Sequence, residues 1–233
     1  MNRQEIKLQA KQRLKENKWN MVIVCLIYSI LTGIISGNMG PKVTYNITDA
    51  GEVITNIQNN TGVSSIMSLL TIFVLLPFGI GVIKFFRNNI YQNENVETIK
   101  DGFTINYFNN VITMAISTII ITISTVFFII PGIILGLGFT LVPYILIDSP
   151  QLGVGDTLKL SWEKMRGHKM DYFILQLSFI GWILLSILTL GIVGILFAFP
   201  YMSQAQAIFC DRILGQTEYI RAEIVEDFTG FDR

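Results

Sequence analysis

The stretch that decides the fold runs from Val111 to Ile147 and reads VITMAISTIIITISTVFFIIPGIILGLGFTLVPYILI, 37 consecutive residues without Asp, Glu, Lys or Arg. A second uncharged stretch of 39 residues extends from Tyr172 to Cys210. A helix needs about 20 apolar residues to cross a hydrocarbon layer of roughly 30 Å. Each stretch is therefore long enough for two membrane crossings, and a soluble core would interrupt such runs with charged helical faces.

The composition of the whole chain agrees with this interpretation. Of its 233 residues, 51% are hydrophobic and 15% are charged, and the mean hydropathy is +0.52. Soluble domains contain about 25% charged residues. The 17 basic and 17 acidic residues balance, so no excess of positive charge attracts nucleic acid, and we expect no nucleic-acid partner.

We predict an all-α membrane protein with about six transmembrane helices, arranged as three helical hairpins and accompanied by cytoplasmic amphipathic helices. Proline followed by glycine is a turn signal, and Ile130-Pro131-Gly132 divides the first uncharged stretch, while the glycine-punctuated Leu190–Gly194 divides the second. A polar external loop, 37–62, follows the first span, and an acidic, soluble tail, 211–233, follows the membrane domain of residues 19–210. The predicted spans are residues 19–36, 63–86, 110–130, 132–147, 171–189 and 193–210.

Residues 1–18 predict a short basic amphipathic helix. Ile6, Ala10 and Leu14 share one face by their i, i+4 spacing, and lysines occupy another. Such a helix suits the surface of an anionic cytoplasmic leaflet, although a merely solvated helix has the same pattern. We expect the segment to be retained rather than cleaved, because it carries Glu5 and Glu16 and no small-residue cleavage site follows it. Residues 150–167 form a second amphipathic segment.

The basic residues predict the orientation in the membrane. With the N-terminus inside, the cytoplasmic segments hold 16 of the 17 Lys and Arg residues, and only Lys42 lies outside. Cytoplasmic loops carry an excess of Lys and Arg. We therefore expect a multi-pass protein of the cell membrane with both termini in the cytoplasm.

Three inward-going helices share a local pattern of an apolar residue, a proline and an aromatic residue: Leu76-Pro77-Phe78, Val142-Pro143-Tyr144 and Phe199-Pro200-Tyr201. If the pattern marks an internal repeat, the prolines would kink three helices at similar depth and open a central cavity. Proline is also simply tolerated in membrane helices. Gln204 and Gln206 are further candidates to line a cavity, or else to bond between helices.

Few residues offer chemistry. His168 and Asp171 could pair as a base and its orienting acid, but no nucleophile accompanies them, and neither catalytic nor nucleotide-binding motifs occur. Cys25 and Cys210 lie in apolar segments without the spacing of metal ligands. We therefore expect no enzyme activity, no cofactor and no metal. Residues near the span ends are read as interfacial anchors: Trp19, Lys84, Arg87, Trp162, Arg166, His168 and Lys169.

Several blocks of sequence carry a resemblance. They include Ile6-Lys-Leu-Gln-Ala10, Ile129-Ile-Pro-Gly132 and, most specifically, Leu160-Ser-Trp-Glu-Lys-Met165 with Gly167-His-Lys169 and Leu177-Ser-Phe-Ile-Gly-Trp182. In these residues the chain resembles a bacterial membrane family, typical of Gram-positive bacteria, that is catalogued as domain of unknown function 975. It is also broadly similar to the membrane portions of some glycerophosphodiester phosphodiesterases, but we expect no hydrolase domain within these 233 residues. The resemblance implies a topology and no activity.

Two functions fit these observations. The first is a non-enzymatic envelope protein that binds membrane lipids or a membrane partner, which could be a second copy of the chain. The second is a transporter or export accessory for an amphipathic lipid or peptide. The spans contain almost no ionisable residue, which argues against ion-coupled transport, since intramembrane ionisable groups mark ion pathways.

Overall fold

The structure is a computed structural model that describes residues 2–37, 42–47, 53–58, 66, 69–104 and 106–230. Nearly all of these residues are helical. The N-terminal part contains α1 (Arg3–Glu16), α2 (Lys18–Gly37), an antiparallel pair of strands, β1 (Lys42–Ile47) and β2 (Val53–Gln58), and α3 (Leu76–Asn88). The remaining helices are α4 (Tyr107–Phe127), α5 (Ile129–Gly138), α6 (Val142–Asp148), α7 (Val154–Lys164), α8 (Lys169–Leu177), α9 (Ile180–Leu188) and α10 (Phe199–Gly230).

Shorter helical pieces join these elements. A 3₁₀ helix, Val96–Phe103, follows α3 and packs against it. Two π-helical turns, Thr71–Leu75 and Gly194–Ala198, lead directly into α3 and α10. The strand pair falls within the segment 37–62 that was predicted as a polar external loop. The predicted start of the second span at residue 63 lies outside the described residues.

Five helical segments of the described chain are long and apolar enough to cross a membrane, and this confirms a helical membrane protein. They are Lys18–Ile35, Thr71–Asn88, Tyr107–Phe127, Ile129–Asp148 and Lys169–Leu188. The sixth predicted span, 193–210, corresponds to the second π turn and the first part of α10. It contains the polar side chains of Ser203, Gln204 and Gln206. The helix then continues to Gly230, so most of the predicted tail is helical.

The turn between α4 and α5 lies three residues before the predicted position. The backbone is extended at Phe128, with φ −149°, and α5 begins at Ile129. Pro131 therefore sits in the first helical turn, where its missing N–H costs no hydrogen bond. Gly132 serves a different purpose, since a Cβ there would overlap Thr125 of α4. This glycine allows the two helices of the hairpin to approach each other.

In the turn between α9 and the second π turn, backbone N–H groups form hydrogen bonds within the turn. Leu190 and Gly191 adopt positive φ angles of 52° and 89°. The Gly191 N–H donates to the carbonyl oxygen of Ser186 at 2.8 Å, and the Val193 N–H donates to Oγ1 of Thr189 at 3.2 Å. These N–H groups are thus paired within the protein and do not depend on water.

The buried core is concentrated at one end of the helices. We call it the charged end, because the ion pairs of Arg87 with Asp148 and Asp211 lie there. Its core joins α1, α2, α3, α6, α8 and α10 and includes Ile6, Ala10, Met21, Phe85, Phe86, Leu141, Tyr144, Leu175, Phe209 and Cys210. At the opposite end, the turn that follows α9 is not covered by other parts of the described chain: Leu188 is 80% exposed and Leu190 is 94% exposed.

Helix α1 uses its apolar face against protein. Ile6 and Ala10 are fully buried, and α1 packs on α10, where Arg212 donates to Glu5 and Gln9 at 2.8 Å each. Lys7 also points inward: its Nζ lies 4.9 Å from the ring centroid of Phe179. The face predicted to lie on lipid is thus covered by α10, while Leu8 remains 68% exposed.

Candidate functional site

A cavity of about 680 Å³ lies between the first hairpin and α10. Its wall is formed by α2, by the first π turn together with α3, by one residue of α4 and by α10. The lining residues are Cys25, Tyr28, Ser29, Thr32, Gly33, Leu75, Leu76, Gly79, Val82, Ile83, Met114, Phe199, Met202, Ser203 and Gln206. Most of this surface is apolar, as is typical of sites for small molecules.

Two glycines keep the cavity open. A Cβ built on Gly33 of α2 would meet nothing within 4 Å, and one on Gly79 of α3 would meet only the Tyr28 hydroxyl, at 3.9 Å. Both glycines face the cavity from opposite walls. Their missing side chains therefore contribute empty volume rather than close helix contact.

Five polar side chains interrupt the apolar wall. Tyr28, Ser29 and Thr32 lie on α2, and Ser203 and Gln206 lie on α10. The Thr32 Oγ1 atom is buried and forms no hydrogen bond of good geometry, although it interacts with the Tyr28 hydroxyl one turn earlier. Hydroxyl and amide groups both donate and accept hydrogen bonds, so the wall offers uncharged polar contacts to a ligand.

Two of the three predicted prolines adjoin this cavity, and they do so through the same local structure. Pro77 follows the lining residue Leu76, whose N–H bonds to the carbonyl oxygen of Thr71 across the first π turn. Pro200 follows the lining residue Phe199, whose N–H bonds to the carbonyl oxygen of Gly194 across the second π turn. Pro77 and Pro200 thus share one local geometry, a π turn that leads into the helix they begin.

Pro143 is placed differently. It occupies the first turn of α6, is buried among core residues and does not line the cavity. The turn before it is of the 3₁₀ type, since the Val142 N–H donates to the carbonyl oxygen of Phe139 at 3.1 Å. The three prolines thus each begin a helical segment, but only Pro77 and Pro200 flank the cavity.

Gln204 does not face the cavity, although it lies two residues from Gln206. It is fully buried, donates to the carbonyl oxygen of Phe86 at 3.1 Å and accepts from Asn89 at 2.9 Å. Asn89 in turn accepts from Asn17 at 2.7 Å. This chain of amides joins α10 to α3 and to the junction of α1 and α2, beneath the cavity at the charged end.

A charged cluster joins α3, the end of α6 and α10 at the same end. Arg87 of α3 forms ion pairs with Asp148 at the end of α6 and with Asp211 of α10, the latter at 3.1 Å. The Tyr91 hydroxyl donates to the same Asp211 carboxylate. Lys84 pairs with Asp101 of the 3₁₀ helix at 2.6 Å. Both predicted basic anchors on α3 therefore bind carboxylates of the protein.

The other predicted anchors lie at the charged end or at its surface. The Lys169 ammonium lies over the ring of Trp162, against which Gly138 of α5 packs. Trp19 is 70% exposed at the start of α2. Arg166 is exposed in the turn between α7 and α8.

The structure brings His168 and Asp171 near each other without a hydrogen bond. Nδ1 of His168 and Oδ2 of Asp171 are 3.9 Å apart, and both side chains are about one-third exposed. Among the described residues no group of three or more His, Cys, Asp or Glu side chains could hold a metal ion. Cys25 and Cys210 are separate buried thiols, of which only Cys25 lines the cavity.

Comparison with known proteins gives one assignment. No curated protein and no solved structure matches the chain. The model of one family, described as protein of unknown function (DUF975), matches residues 66–217. This range includes the charged cluster, the π turns and the α10 wall of the cavity, and it covers more than half of the 233 residues. The chain belongs to the DUF975 family, as the resemblance in its sequence implied.

Proposed function

We propose that this protein is a non-enzymatic membrane protein that binds a lipid or a similar amphipathic molecule in the cavity between α2, α3 and α10. The observation that carries the proposal is the cavity itself, an apolar chamber of about 680 Å³ within membrane-spanning helices. Sites that bury one small ligand have volumes of about 300–1,000 Å³. Because membrane-spanning helices are surrounded by lipid, an amphipathic molecule of the membrane can reach the cavity directly.

The wall also fits such a ligand chemically. Leucine, isoleucine, valine and methionine side chains supply contacts for an acyl chain, while Ser203 and Gln206 supply hydrogen bonds for a polar head. A catalytic role would need a nucleophile with a base in hydrogen-bond reach. The cavity wall holds Cys25 and three hydroxyl side chains of Ser and Thr, and it contains no histidine, aspartate or glutamate.

Filling the cavity from α2 tests the proposal. We expect Gly33→Phe to reduce co-purifying lipid at least tenfold, because the new ring would project into the open space beside Gly33. The measurement is native mass spectrometry of protein extracted from membranes in a mild detergent.

Gly181→Phe is the matched control, since Gly181 of α9 is exposed and nothing lies within 4 Å of its Cβ position. It adds the same ring outside the cavity and should leave bound lipid unchanged. Equal lipid content in Gly33→Phe and wild-type protein would remove the basis of the proposal.

We propose further that the helices form three hairpins with both termini in the cytoplasm, and that the tip of the third hairpin stays in lipid. The positive charges support the orientation. The 94% exposed Leu190 and the internally bonded turn around it support the buried tip.

Cysteine labelling of intact cells tests this topology, in a background with Cys25→Ala and Cys210→Ala. A membrane-impermeant maleimide should label Asn46→Cys, label Gly155→Cys of α7 only after permeabilisation, and leave Leu190→Cys unlabelled in both conditions. Labelling of Gly155→Cys in intact cells would reverse the orientation, and rapid labelling of Leu190→Cys would place the tip in water.

Movement of an amphipathic molecule across the membrane is a second candidate function. It is favoured by the two π turns next to the cavity, the first of which contributes Leu75 to the wall while the second directly precedes the lining residue Phe199, because π-helical turns occur frequently at functional sites. Proteoliposomes that contain the protein would then exchange a fluorescent lipid between leaflets faster than protein-free liposomes. Equal rates would leave binding as the proposed function.

A further inference from the structure

We infer that the cavity selects an amphiphile with an uncharged head group, such as a monoacylglycerol, over a phospholipid of the same chain length. The inference rests on the proposed function and specifies the ligand class of the same site. It depends on the kinds of side chain that line the cavity and on the contacts already made by the cations near it.

Within the part of the chain that the structure describes, the cavity wall carries no formal charge. None of the lining residues is Asp, Glu, Lys, Arg or His. A phosphate group that entered the cavity would lose its hydrating water and would find no cationic side chain in the wall to pair with. Burial of an unpaired charge is strongly unfavourable. A hydroxyl head group loses much less on leaving water, and it can recover hydrogen bonds from the wall.

The nearest cations along the lining helices already have partners. On α3, Lys84 follows the lining residues Val82 and Ile83, but it pairs with Asp101. Arg87, one turn further, pairs with Asp148 and Asp211. At the start of α2, the Lys18 ammonium lies 4.2 Å from the ring centroid of Phe197. A phosphate at the cavity would have to compete with these contacts.

The polar groups of the wall match a glycerol head instead. Ser203 and Gln206 are three residues apart on α10 and therefore share a face. Ser29 of α2 adds a further hydroxyl group to the wall. Together they provide hydroxyl groups and one amide, which donate to ester carbonyls and both donate to and accept from hydroxyl groups.

The length of the cavity leaves room for a head group and part of a chain. The lining residues of α2 extend from Cys25 to Gly33, about 12 Å along the helix. A longer acyl chain would therefore project from the cavity into the bilayer, where it stays in hydrocarbon. This is why single-chain probes are sufficient to test the head group.

A pair of probes that differ only in the head group tests the inference: 1-palmitoylglycerol and 1-palmitoyl lysophosphatidylglycerol. Each is added at equal concentration to the full chain in amphipol, and bound adducts are counted by native mass spectrometry. We expect at least tenfold more adduct with the neutral probe, and loss of that adduct in Gly33→Phe but not in Gly181→Phe.

A gain-of-binding variant makes the charge argument directly testable. Gln206→Lys places a cation in the wall and should raise binding of the anionic probe relative to the neutral one by at least tenfold. Wild-type binding of the anionic probe that equals or exceeds the neutral one, and that Gly33→Phe abolishes, would overturn the inference while preserving the proposed function. Absence of any adduct that depends on Gly33 would overturn both.

Discussion

Gly102→Ala is expected to prevent the chain from accumulating in its folded form. A Cβ at Gly102 would overlap the carbonyl oxygen of Pro77 and lie 2.7 Å from the backbone nitrogen of Gly81. Overpacking of a core typically costs about 1–3 kcal/mol. Here the obstructing atoms are backbone, which cannot move to another rotamer, so we expect a loss above that range. The measurements are thermal unfolding in detergent and the monodisperse fraction in size-exclusion chromatography.

The facing glycine should respond in the same way. A Cβ at Gly81 of α3 would overlap the carbonyl oxygen of Ile99 in the 3₁₀ helix, so the two glycines form one backbone contact between these elements. Gly155→Ala is the control, because nothing lies within 4 Å of its Cβ position and alanine favours a helix over glycine. A melting temperature of Gly102→Ala equal to that of the wild type would show that the two helices do not pack this closely.

The membrane helices were predictable because hydropathy is a local property. Stretches such as Val111–Ile147 can be recognised as membrane-spanning from their composition alone, because their length matches the thickness of the hydrocarbon layer. The contact between Gly81 and Gly102 was not predictable in this way, since glycine is frequent in membrane helices for several reasons. Only the three-dimensional packing shows which glycines touch backbone and which, like Gly33, face open space.

Helix α1 is a second case in which the sequence predicted an element but not its packing partner. The spacing of Ile6 and Ala10 predicted an apolar face, and these residues are buried. Periodicity identifies a face, however, and says nothing about what covers it. The covering element is α10, about 200 residues away in the sequence, and no local signal indicates that pairing.

The candidate site was partly visible in the sequence. Pro77, Pro200 and Gln206 were singled out and lie in or beside the cavity wall, whereas Gln204 bonds Asn89 outside it. Two residues separated by two positions on an α-helix differ by about 200° in direction, so one of the two glutamines had to face away from any single cavity. Its partner Asn89 is 115 residues distant, and polarity alone did not identify it.

Arg87→Gln is expected to cost about 2–3 kcal/mol of unfolding free energy. Loss of one partner from a buried ion pair costs about 3–5 kcal/mol. The Arg87 side chain is 17% exposed and Asp148 is 33% exposed, so solvent reduces that value. The variant would also leave two carboxylates close together at the charged end, where one guanidinium joins α3, the end of α6 and α10. Chemical denaturation in detergent measures the difference.

A comparison with the pair between Arg212 and Glu5 separates this role from a general effect of lost charge. In that pair Glu5 is 53% exposed, and surface pairs contribute about 0–1 kcal/mol, so Arg212→Gln should be nearly neutral. Adding Asp148→Asn and Asp211→Asn to Arg87→Gln should recover part of the lost unfolding free energy, because neutral amides then replace the two unpaired carboxylates. Equal stability of Arg87→Gln and Arg212→Gln would mean that α3, α6 and α10 are held together by the apolar core and the amide chain, without a contribution from Arg87.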